Sequence, residues 1–295
     1  MITRLVSLGS VIVDLVLSLP GLPERGGDVL AAQRGMAVGG AFNVLSAASR
    51  LGQPSVYAGP HGTGPFGDLV RAELAREGIA TCRVPNRDLD TGWTIALIEP
   101  DAERTFITVT GADAIVEPAD LEGIEYRDGD AVYVSGYDLA YPASGAAIAA
   151  HMRGLPADVF VAFDPGPLAA DIETGLLQSV LARAALVSLN ERESEALGPI
   201  DAPTIVLRQG RRGATIHRRG EADVHVDAVP LGSIADTSGA GDVHVGANLA
   251  ALAMGVSWPD AVLLANRAAA YSVSRAGPAS GPTAAELDKF GADRW

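Results

Sequence analysis

Short runs of β-branched and aliphatic residues alternate along the chain with longer stretches rich in alanine and leucine, whose apolar positions recur at helical spacing. The short runs predict strands at Thr3–Leu8, Ser55–Ala58, Ala131–Val134, Asp158–Phe163, Ala185–Ser188 and Thr204–Leu207. The longer stretches predict helices at Ala41–Leu51, Phe66–Glu77, Ser144–Met152, Ile172–Ala182, Ala240–Ala253 and Trp258–Val273. Because strand and helix follow each other repeatedly, the pattern predicts an α/β fold in which helices cover both faces of a mostly parallel sheet.

Two regions depart from this alternation. Residues 11–37 and 91–111 contain strand-like pieces with glycine and proline, and no helix separates them. Within the second region, Thr94–Ile98 and Thr105–Thr110 predict a hairpin around a turn at 99–103. We expect a small second sheet that acts as a lid over a cleft, and the alternative is two surface excursions without function. Residues 1–295 are interpreted as one α/β domain with this lid attached.

Composition and charge narrow the class of protein. Hydrophobic residues make up 48% of the chain and aromatic residues 5%, so the core must consist mainly of small aliphatic side chains. The formal charge of −14 argues against nucleic acid and anionic membranes as partners, because both are bound through Lys and Arg. The single cysteine, Cys82, excludes an internal disulfide and suits a reducing compartment. Asp14 interrupts the first apolar stretch, so we expect an unprocessed cytoplasmic protein.

The segment with the clearest chemistry is Asp236-Thr-Ser-Gly-Ala-Gly-Asp242, which leads into an apolar helix. Gly239, Ala240 and Gly241 stand where that helix begins, so their amide groups and the helix dipole would favour an anion. Asp242 would lie in the first turn, where its carboxylate could accept the proton of an attacking hydroxyl. The alternative is a glycine-rich turn followed by an ordinary acidic residue in a first helical turn.

This segment resembles the C-terminal signature of the ribokinase-like (PfkB) family of carbohydrate kinases, DTxGAGD. Further segments resemble the family in order and spacing: Gly9–Asp14, Gly39–Gly52, Asn190–Glu193, Gly210–Gly213 and Asn266–Arg275. The resemblance implies a ribokinase-like three-layer α/β/α fold with a β lid. It also implies an ATP-dependent kinase that uses Mg²⁺ and transfers a phosphoryl group to a sugar hydroxyl.

The resemblance implies a role for each matched residue. Asp242 would be the catalytic base, with Gly239, Ala240 and Gly241 as the anion hole. The residues implied to bind substrate are Asp14, Gly39, Gly40 and Asn43, and Arg104 in a lid strand is a further candidate. Those implied to bind nucleotide are Asn190, Glu193, Arg208, Gly210, Gly213 and Asn266. Glu193 would hold Mg²⁺ through water, and Asp236, Ser238 and Ser280 are candidate K⁺ ligands. In the family the lid often also builds a homodimer.

The departures from the family pattern concern the acceptor. Only Ala41 and Phe42 separate the glycine pair from Asn43, where the family has three residues. Gly136-Tyr137-Asp138 stands where ribokinases carry a glutamate near the sugar, and His244 follows Val243 where the family has Thr-Phe. The Gly39-Gly40 loop supplies no cation for a substrate phosphate, although Arg34 and Arg104 lie in lid strands. We therefore expect an unphosphorylated pentose or ketohexose.

Other interpretations stay open at this stage. A nucleoside is the closest alternative acceptor, with Phe42, Trp93 and Phe106 as candidate aromatic contacts, and a phosphosugar comes third. A non-catalytic sugar or nucleotide sensor would also keep the fold. The segment from Gly62 to Gly67 matches the GxGxxG dinucleotide fingerprint, but that match is weak and Pro65 interrupts it. Lys289 is the only lysine, which excludes a P-loop kinase and a protein kinase.

Overall fold

The computed structural model describes residues 1–100, 103–275 and 277–292. The strands are β1 Arg4–Ser7, β2 Val11–Ser18, β3 Ala32–Gly40, β4 Ser55–Tyr57, β5 Ala80–Thr81, β6 Trp93–Ile98, β7 Arg104–Val109, β8 Asp130–Ser135, β9 Phe160–Asp164, β10 Leu186–Asn190, β11 Thr204–Arg208, β12 Ala214–Arg218 and β13 Val224–Val226. The helices are α1 Ala41–Arg50, α2 Pro65–Arg76, α3 Pro118–Glu122, α4 Gly136–Ala140, α5 Gly145–Gly154, α6 Thr174–Leu181, α7 Glu191–Leu197, α8 Ala240–Ala253, α9 Trp258–Val273 and α10 Ala284–Ala292.

Nine strands form the main sheet in the order β13-β12-β11-β10-β9-β8-β1-β4-β5. The strands from β11 to β5 pair in parallel, and β12 and β13 add an antiparallel edge. Neighbouring residues of a strand point to opposite faces, and accordingly Leu5 and Val6 belong to two separate hydrophobic clusters. Burying each such side chain contributes roughly 1.5–3 kcal/mol, so both faces of the sheet hold the helices in place. The predicted three-layer fold is confirmed.

The six predicted strands and six predicted helices all occur, with ends that shift by up to two residues. For α8 and α9 both ends agree with the prediction. The edge strand β13 was not predicted, because it has only three residues and all of them are at least partly exposed. A strand with so little buried surface leaves almost no alternation of apolar and polar positions in the sequence.

The four remaining strands form a second sheet in the order β3-β2-β6-β7, which we call the lid sheet. The predicted hairpin is confirmed, since β6 and β7 pair antiparallel from Trp93 opposite Val109 to Ile98 opposite Arg104. Two buried carboxylates accept backbone amides in the segments that lead into strands β2 and β6 of the lid sheet. Asp138 accepts a hydrogen bond of 2.8 Å from the Ser10 amide, and Asp113 accepts one from the Gly92 amide.

Among the described residues, no helix combines the length and the apolar character needed to cross a membrane.

Candidate active site

Polar side chains collect where four neighbouring parallel strands of the main sheet end. The last residues of β8, β9, β10 and β11 are Ser135, Asp164, Asn190 and Arg208. Ser135 lies opposite Asp164, and Asn190 lies opposite Arg208. Ligands of parallel α/β sheets bind outside the carboxyl ends of the strands, so this edge is the expected place for a site.

The start of α8 faces the same edge. Gly239, the residue before the helix, has φ 68°, a left-handed conformation that favours glycine. Asp236 fixes the approach to this turn, because its carboxylate accepts the Ser238 amide at 2.8 Å and the Gly277 amide at 3.1 Å. The first amides of a helix have no acceptor within the helix itself. The turn therefore presents donors that can meet an anion.

Asp242 lies in the first turn of α8, and its Oδ2 accepts a hydrogen bond of 2.9 Å from Nδ2 of Asn43 on α1. Burial raises the pKa of Asp242 to about 7, while the Asn43 hydrogen bond acts in the opposite direction. Asp164 and Asp14 add to the rise, and Arg208 opposes it. A carboxylate with a pKa near neutrality can both accept and release a proton at physiological pH.

Arg208 is the cation at the centre of these carboxylates. Its Nη1 lies 3.0 Å from Oδ2 of Asp164, and its Nη2 lies 3.1 Å from Oε2 of Glu193. A Cβ at Gly241 would come within 2.5 Å of Nη1, so the guanidinium lies directly against the first turn of α8. Only glycine at position 241 leaves room for the Arg208 guanidinium in this position.

Asn190 and Glu193 form a reciprocal cap at the start of α7. The Glu193 amide donates to Oδ1 of Asn190 at 2.9 Å, and Oε2 of Glu193 accepts the Asn190 amide at 2.7 Å. This is the capping-box arrangement, so the NxxE spacing has a structural role in addition to any ligand role. Burial and the nearby Asp164 raise the pKa of Glu193.

Asp14 reaches the site from the lid sheet. Its carboxylate packs against Gly39, where a Cβ would lie 2.3 Å from Oδ2, and burial raises the pKa of Asp14 to about 6. Oδ1 of Asn43 is buried and has no hydrogen-bond partner among the described residues. A buried acceptor of this kind is satisfied when a ligand hydroxyl donates to it.

Three of the predicted nucleotide-binding residues have clear structural roles. Asn266 donates to the carbonyls of Val226 and Asp227 at 3.1 and 3.0 Å, and its Oδ1 lies 3.1 Å from Nε2 of His244. Its amide therefore ties α9 to β13. Gly210 and Gly213 form the turn between β11 and β12 with φ 58° and 96°. Burial lowers the pKa of His244 to about 3, so this ring stays neutral.

The remaining candidate site residues either lie away from the cluster around Asp242 and Arg208 or have side chains that the structure does not describe. The Ser280 hydroxyl donates to the Ser272 carbonyl at 3.2 Å. Phe42, a candidate contact in the case of a nucleoside acceptor, is 2% exposed and belongs to the hydrophobic core. Phe42 and Asn43 are neighbours on α1, so the Phe42 side chain points into the core while the Asn43 side chain contacts Asp242. Arg34 and Arg104 have side chains outside the described part of the structure.

Asp164 and Tyr137 line the site and were not predicted to do so. Asp164 could have been found as an acidic residue that ends an apolar strand just before Pro165. Tyr137 follows β8, and its ring lies 3.7 Å from the position of a Cβ on Gly166. Burial raises the pKa of Tyr137 to about 12, and Asp242, Asp14, Asp164 and Glu193 add to the rise. The phenol thus stays protonated beside four carboxylates.

The dinucleotide fingerprint between Gly62 and Gly67 has a different use in the structure. The Asp90 carboxylate accepts the amides of Phe66 and Gly67 at 3.1 and 2.7 Å. These are the groups that a pyrophosphate would need, so this helix start is closed by the chain itself.

The fold and the site define a small-molecule kinase of the ribokinase type, and the comparisons with known proteins agree. The sequence model described as "pfkB family carbohydrate kinase" matches residues 2–285. The chain therefore belongs to the PfkB family of carbohydrate kinases. It is a sugar kinase.

Two curated relatives extend over nearly the whole chain. An uncharacterized sugar kinase of Escherichia coli K12, YegV, is 35% identical over 95% of this chain and 91% of the relative. An ATP-dependent ribose-1-phosphate kinase of Halopiger xanaduensis is 29% identical over 99% of both chains.

Solved structures show the same fold. The ribokinase of Thermotoga maritima has a TM-score of 0.84 at 22% identity and covers 99% of this chain and 100% of its own. The ribokinase of Arabidopsis thaliana, in complex with ribose and ATP, has a TM-score of 0.78 at 22% identity and covers 98% of this chain and 99% of its own.

Proposed function

We propose that the chain transfers the γ-phosphoryl group of ATP to a hydroxyl of an unphosphorylated pentose or ketohexose, with Asp242 as the base. The observation that carries this proposal is the position of the Asp242 carboxylate. It lies in the first turn of α8, beside amides that favour an anion, and burial raises its pKa to about 7.

The proton follows a short path in this proposal. The acceptor hydroxyl gives its proton to Oδ1 of Asp242, since Oδ2 already accepts from Asn43. The hydroxyl oxygen forms a bond to the γ-phosphorus while the bond from that phosphorus to the bridging oxygen breaks, and ADP leaves with the electron pair. Asp14 and the unpaired Oδ1 of Asn43 hold neighbouring hydroxyls of the acceptor.

The negative charge of the moving group is met by protein groups. In this proposal the amides at the α8 start, around Gly239 to Gly241, meet it, and Arg208 lies against Gly241. Preorganised donors of this kind carry most of the protein's contribution to phosphoryl transfer. Arg208 thus has a place in the site beyond its two ion pairs, as a side-chain cation against the helix start.

Magnesium fits the oxygen donors of this edge. Glu193 already accepts hydrogen bonds from the Asn190 amide, the Asn190 side chain and Arg208, so it would hold Mg²⁺ through water. When bound, the ion neutralises phosphate charge. Within the described residues no group of three or more His, Cys, Asp or Glu side chains is arranged for a metal, which suits an ion carried by the nucleotide. K⁺ near Asp236, Ser238 and Ser280 remains a prediction.

The charge of the acceptor side supports an unphosphorylated substrate. Asp14 and Asp242 lie on the side where the acceptor would bind, and Arg208, the nearby cation, is engaged with Asp164 and Glu193. A substrate phosphate would be repelled there. The ribose-1-phosphate kinase among the relatives favours a phosphosugar as the second candidate, with Arg34 and Arg104 of the lid strands as its partners.

The lid sheet also supports the proposal of a homodimer. Its edge strand β7 exposes Phe106 by 59%, Ile107 by 52% and Val109 by 42%. An exposed apolar edge strand favours association with another chain, and a second copy of this chain would cover it. The proposed location is the cytoplasm, where ATP is available and Cys82 stays reduced.

The test is ATP turnover with pentoses, ketohexoses, nucleosides and phosphosugars, comparing the wild type with Asp242→Asn. We expect turnover with an unphosphorylated sugar and a loss of about 10²- to 10⁴-fold in the variant. Equal rates on the best acceptor would contradict the role of Asp242. A preference for a phosphosugar would contradict the substrate class. Ligand binding without turnover on any acceptor would favour the sensor.

Thermal unfolding of the same variant at pH 8 serves as the control for folding. Burial raises the folded pKa of Asp242 to about 7. The stability that comes from binding this proton is therefore present at low pH and is lost as the pH rises through 7. The negative charge of Asp242 at pH 8 does not favour folding, and a neutral amide avoids burying it. We therefore expect Asp242→Asn to melt at or above the wild-type temperature at pH 8.

A further inference from the structure

A buried ion pair connects the C-terminal ends of two helices to the loop beside the α8 start. Nε and Nη2 of Arg50, the last residue of α1, donate to both carboxylate oxygens of Glu77 at 2.7 and 2.8 Å. Nη1 of Arg50 donates to the carbonyls of Ala279 and Gly281 at 2.9 and 2.7 Å. The side chains are 22% and 6% exposed, so water competes weakly for these bonds.

The loop that Arg50 holds, residues 277–281, forms the back of the candidate anion hole. The Gly277 amide donates to Asp236, which shapes the turn before α8. A Cβ at Gly239 would lie 3.6 Å from the Ala279 amide nitrogen, and one at Gly281 would lie 3.5 Å from Val243. The loop and the helix start therefore pack against each other along the backbone.

The loop also contains a strained residue. Ala279 has φ 51°, the only positive φ of a non-glycine residue in the described part of the chain. Such a backbone conformation is unfavourable for alanine and persists only where its surroundings enforce it. The hydrogen bond from Arg50 to the Ala279 carbonyl is one of the contacts that enforce it.

One helix thus fixes both sides of the α8 start. Asn43 and Arg50 lie on α1 about two turns apart, which places both on one face of the helix. Asn43 donates to Asp242, and Arg50 holds the loop behind Gly239. A shift of the loop would move the amides of the anion hole relative to Asp242.

We propose that Arg50, supported by Glu77, is a positioning residue for phosphoryl transfer. It sets the 277–281 loop against Gly239 and so keeps the helix-start amides in register with the carboxylate of Asp242. This inference rests on the proposed function. It assigns no contact between Arg50 and the substrate or the nucleotide.

The test uses the paired variant Arg50→Met/Glu77→Met, which leaves no buried charge without a partner. We expect kcat to fall, by up to about 10²-fold, since misplacement by an ångström can cost that much. KM for the acceptor should stay unchanged, because the acceptor contacts come from Asp14 and Asn43. Arg50→Lys should recover part of kcat, since an ammonium can still reach the loop carbonyls. Arg219→Ala, which breaks an exposed pair with Asp201, is the matched control.

Amide hydrogen exchange gives a readout that does not need turnover. In the paired variant, we expect faster exchange in residues 277–281 and in the first turn of α8, with the main sheet unchanged. Wild-type kcat and wild-type exchange in these segments, together with a lowered melting temperature, would overturn the inference and leave a purely stabilising ion pair. If the wild type itself phosphorylates no acceptor, the proposed function fails, while the exchange result still decides the role of Arg50 in holding the loop.

Discussion

Two glycine-rich segments of this chain precede α2 and α8, and in the proposed function only the second binds an anion. At the start of α2, the Asp90 carboxylate accepts the amides of Phe66 and Gly67 at 3.1 and 2.7 Å. At the start of α8, the acidic residue Asp236 accepts the amides of Ser238 and Gly277 instead, before the helix begins. The Asp90 carboxylate of the chain therefore occupies the start of α2, whereas we propose that a phosphoryl group binds at the start of α8.

The difference shows what a glycine motif alone can predict. Both segments have small residues and helix amides, which are the ingredients of phosphate binding. Whether such a helix start can bind a phosphate depends on where the nearest carboxylate of the chain lies. Asp90 lies more than twenty positions further along the sequence than the α2 motif. The β-bridge that pairs Gly62 with Asn86 brings Asp90 close to the start of α2. A local motif cannot reveal that contact.

The sharpest way to test the comparison is to add one methyl group to each segment. In Gly241→Ala the new Cβ would lie 2.5 Å from Nη1 of Arg208, the mobile end of a side chain. The guanidinium would have to shift within its ion pairs with Asp164 and Glu193. The displaced guanidinium and the crowded anion hole should lower kcat/KM by about 10- to 10²-fold, and the disturbed ion pairs should also lower the melting temperature.

Gly67→Ala is the matched variant of the other segment. Its Cβ would lie 2.0 Å from the backbone oxygen of Gly62, which cannot move away without distorting the loop. We expect a loss of about 1–3 kcal/mol in the free energy of unfolding and a wild-type kcat for the folded fraction. Urea unfolding and active-site-normalised turnover measure the two effects. If Gly241→Ala loses stability and keeps its activity, the assignment of α8 as the anion site is wrong.

A smaller effect on stability is expected when the Asp90 carboxylate is removed from the start of α2. Asp90→Ala removes the carboxylate that caps α2 and should lower the free energy of unfolding by about 0.5–2 kcal/mol, the usual cost of losing a helix cap. The affinity for an ATP analogue and kcat should stay at wild-type values, because the proposed phosphate site lies at the start of α8. Calorimetric titration and urea unfolding provide the measurements. A fall in ATP-analogue affinity would show that the α2 start contributes to the nucleotide site.

The same contrast explains how far the sequence could be interpreted. The bounds of α9 were predictable because Ser257 caps it through the Asp260 amide and Pro259 stands in its first turn, both local signals. Asp242 and Asn43 were predictable because they lie within recognisable sequence motifs. The contact of Arg208 with Asp164 and Glu193 was not predictable, because these residues come from β11, β9 and the start of α7 and meet only through the order of the sheet. Tyr137 stands out in the sequence only as a departure from the family pattern, since nothing local tells where its ring points.

The smallest expected effect is a change in pH dependence. Asp242 must be ionised to accept a proton, and its pKa is raised to about 7 by burial. For the wild type, kcat/KM should therefore rise with pH and level off above about 7. The Asn43 hydrogen bond to Oδ2 stabilises the ionised carboxylate and lowers its pKa. In Asn43→Ala that stabilisation is lost, so the midpoint of the pH profile should move to higher pH.

Ser46→Ala is the control for this variant, since Ser46 lies on the same helix and its hydroxyl donates to the main-chain carbonyl of Asn43 at 3.2 Å. Its pH midpoint should match that of the wild type. Initial rates at subsaturating acceptor between pH 5.5 and 9, a range chosen to bracket the expected midpoint of roughly 7, measure the profile. A shift of the Asn43→Ala midpoint to lower pH would mean that Asn43 stabilises the protonated carboxyl. That result would contradict the assigned role of the Asn43 hydrogen bond, and a wild-type profile that does not rise with pH would contradict Asp242 as the base.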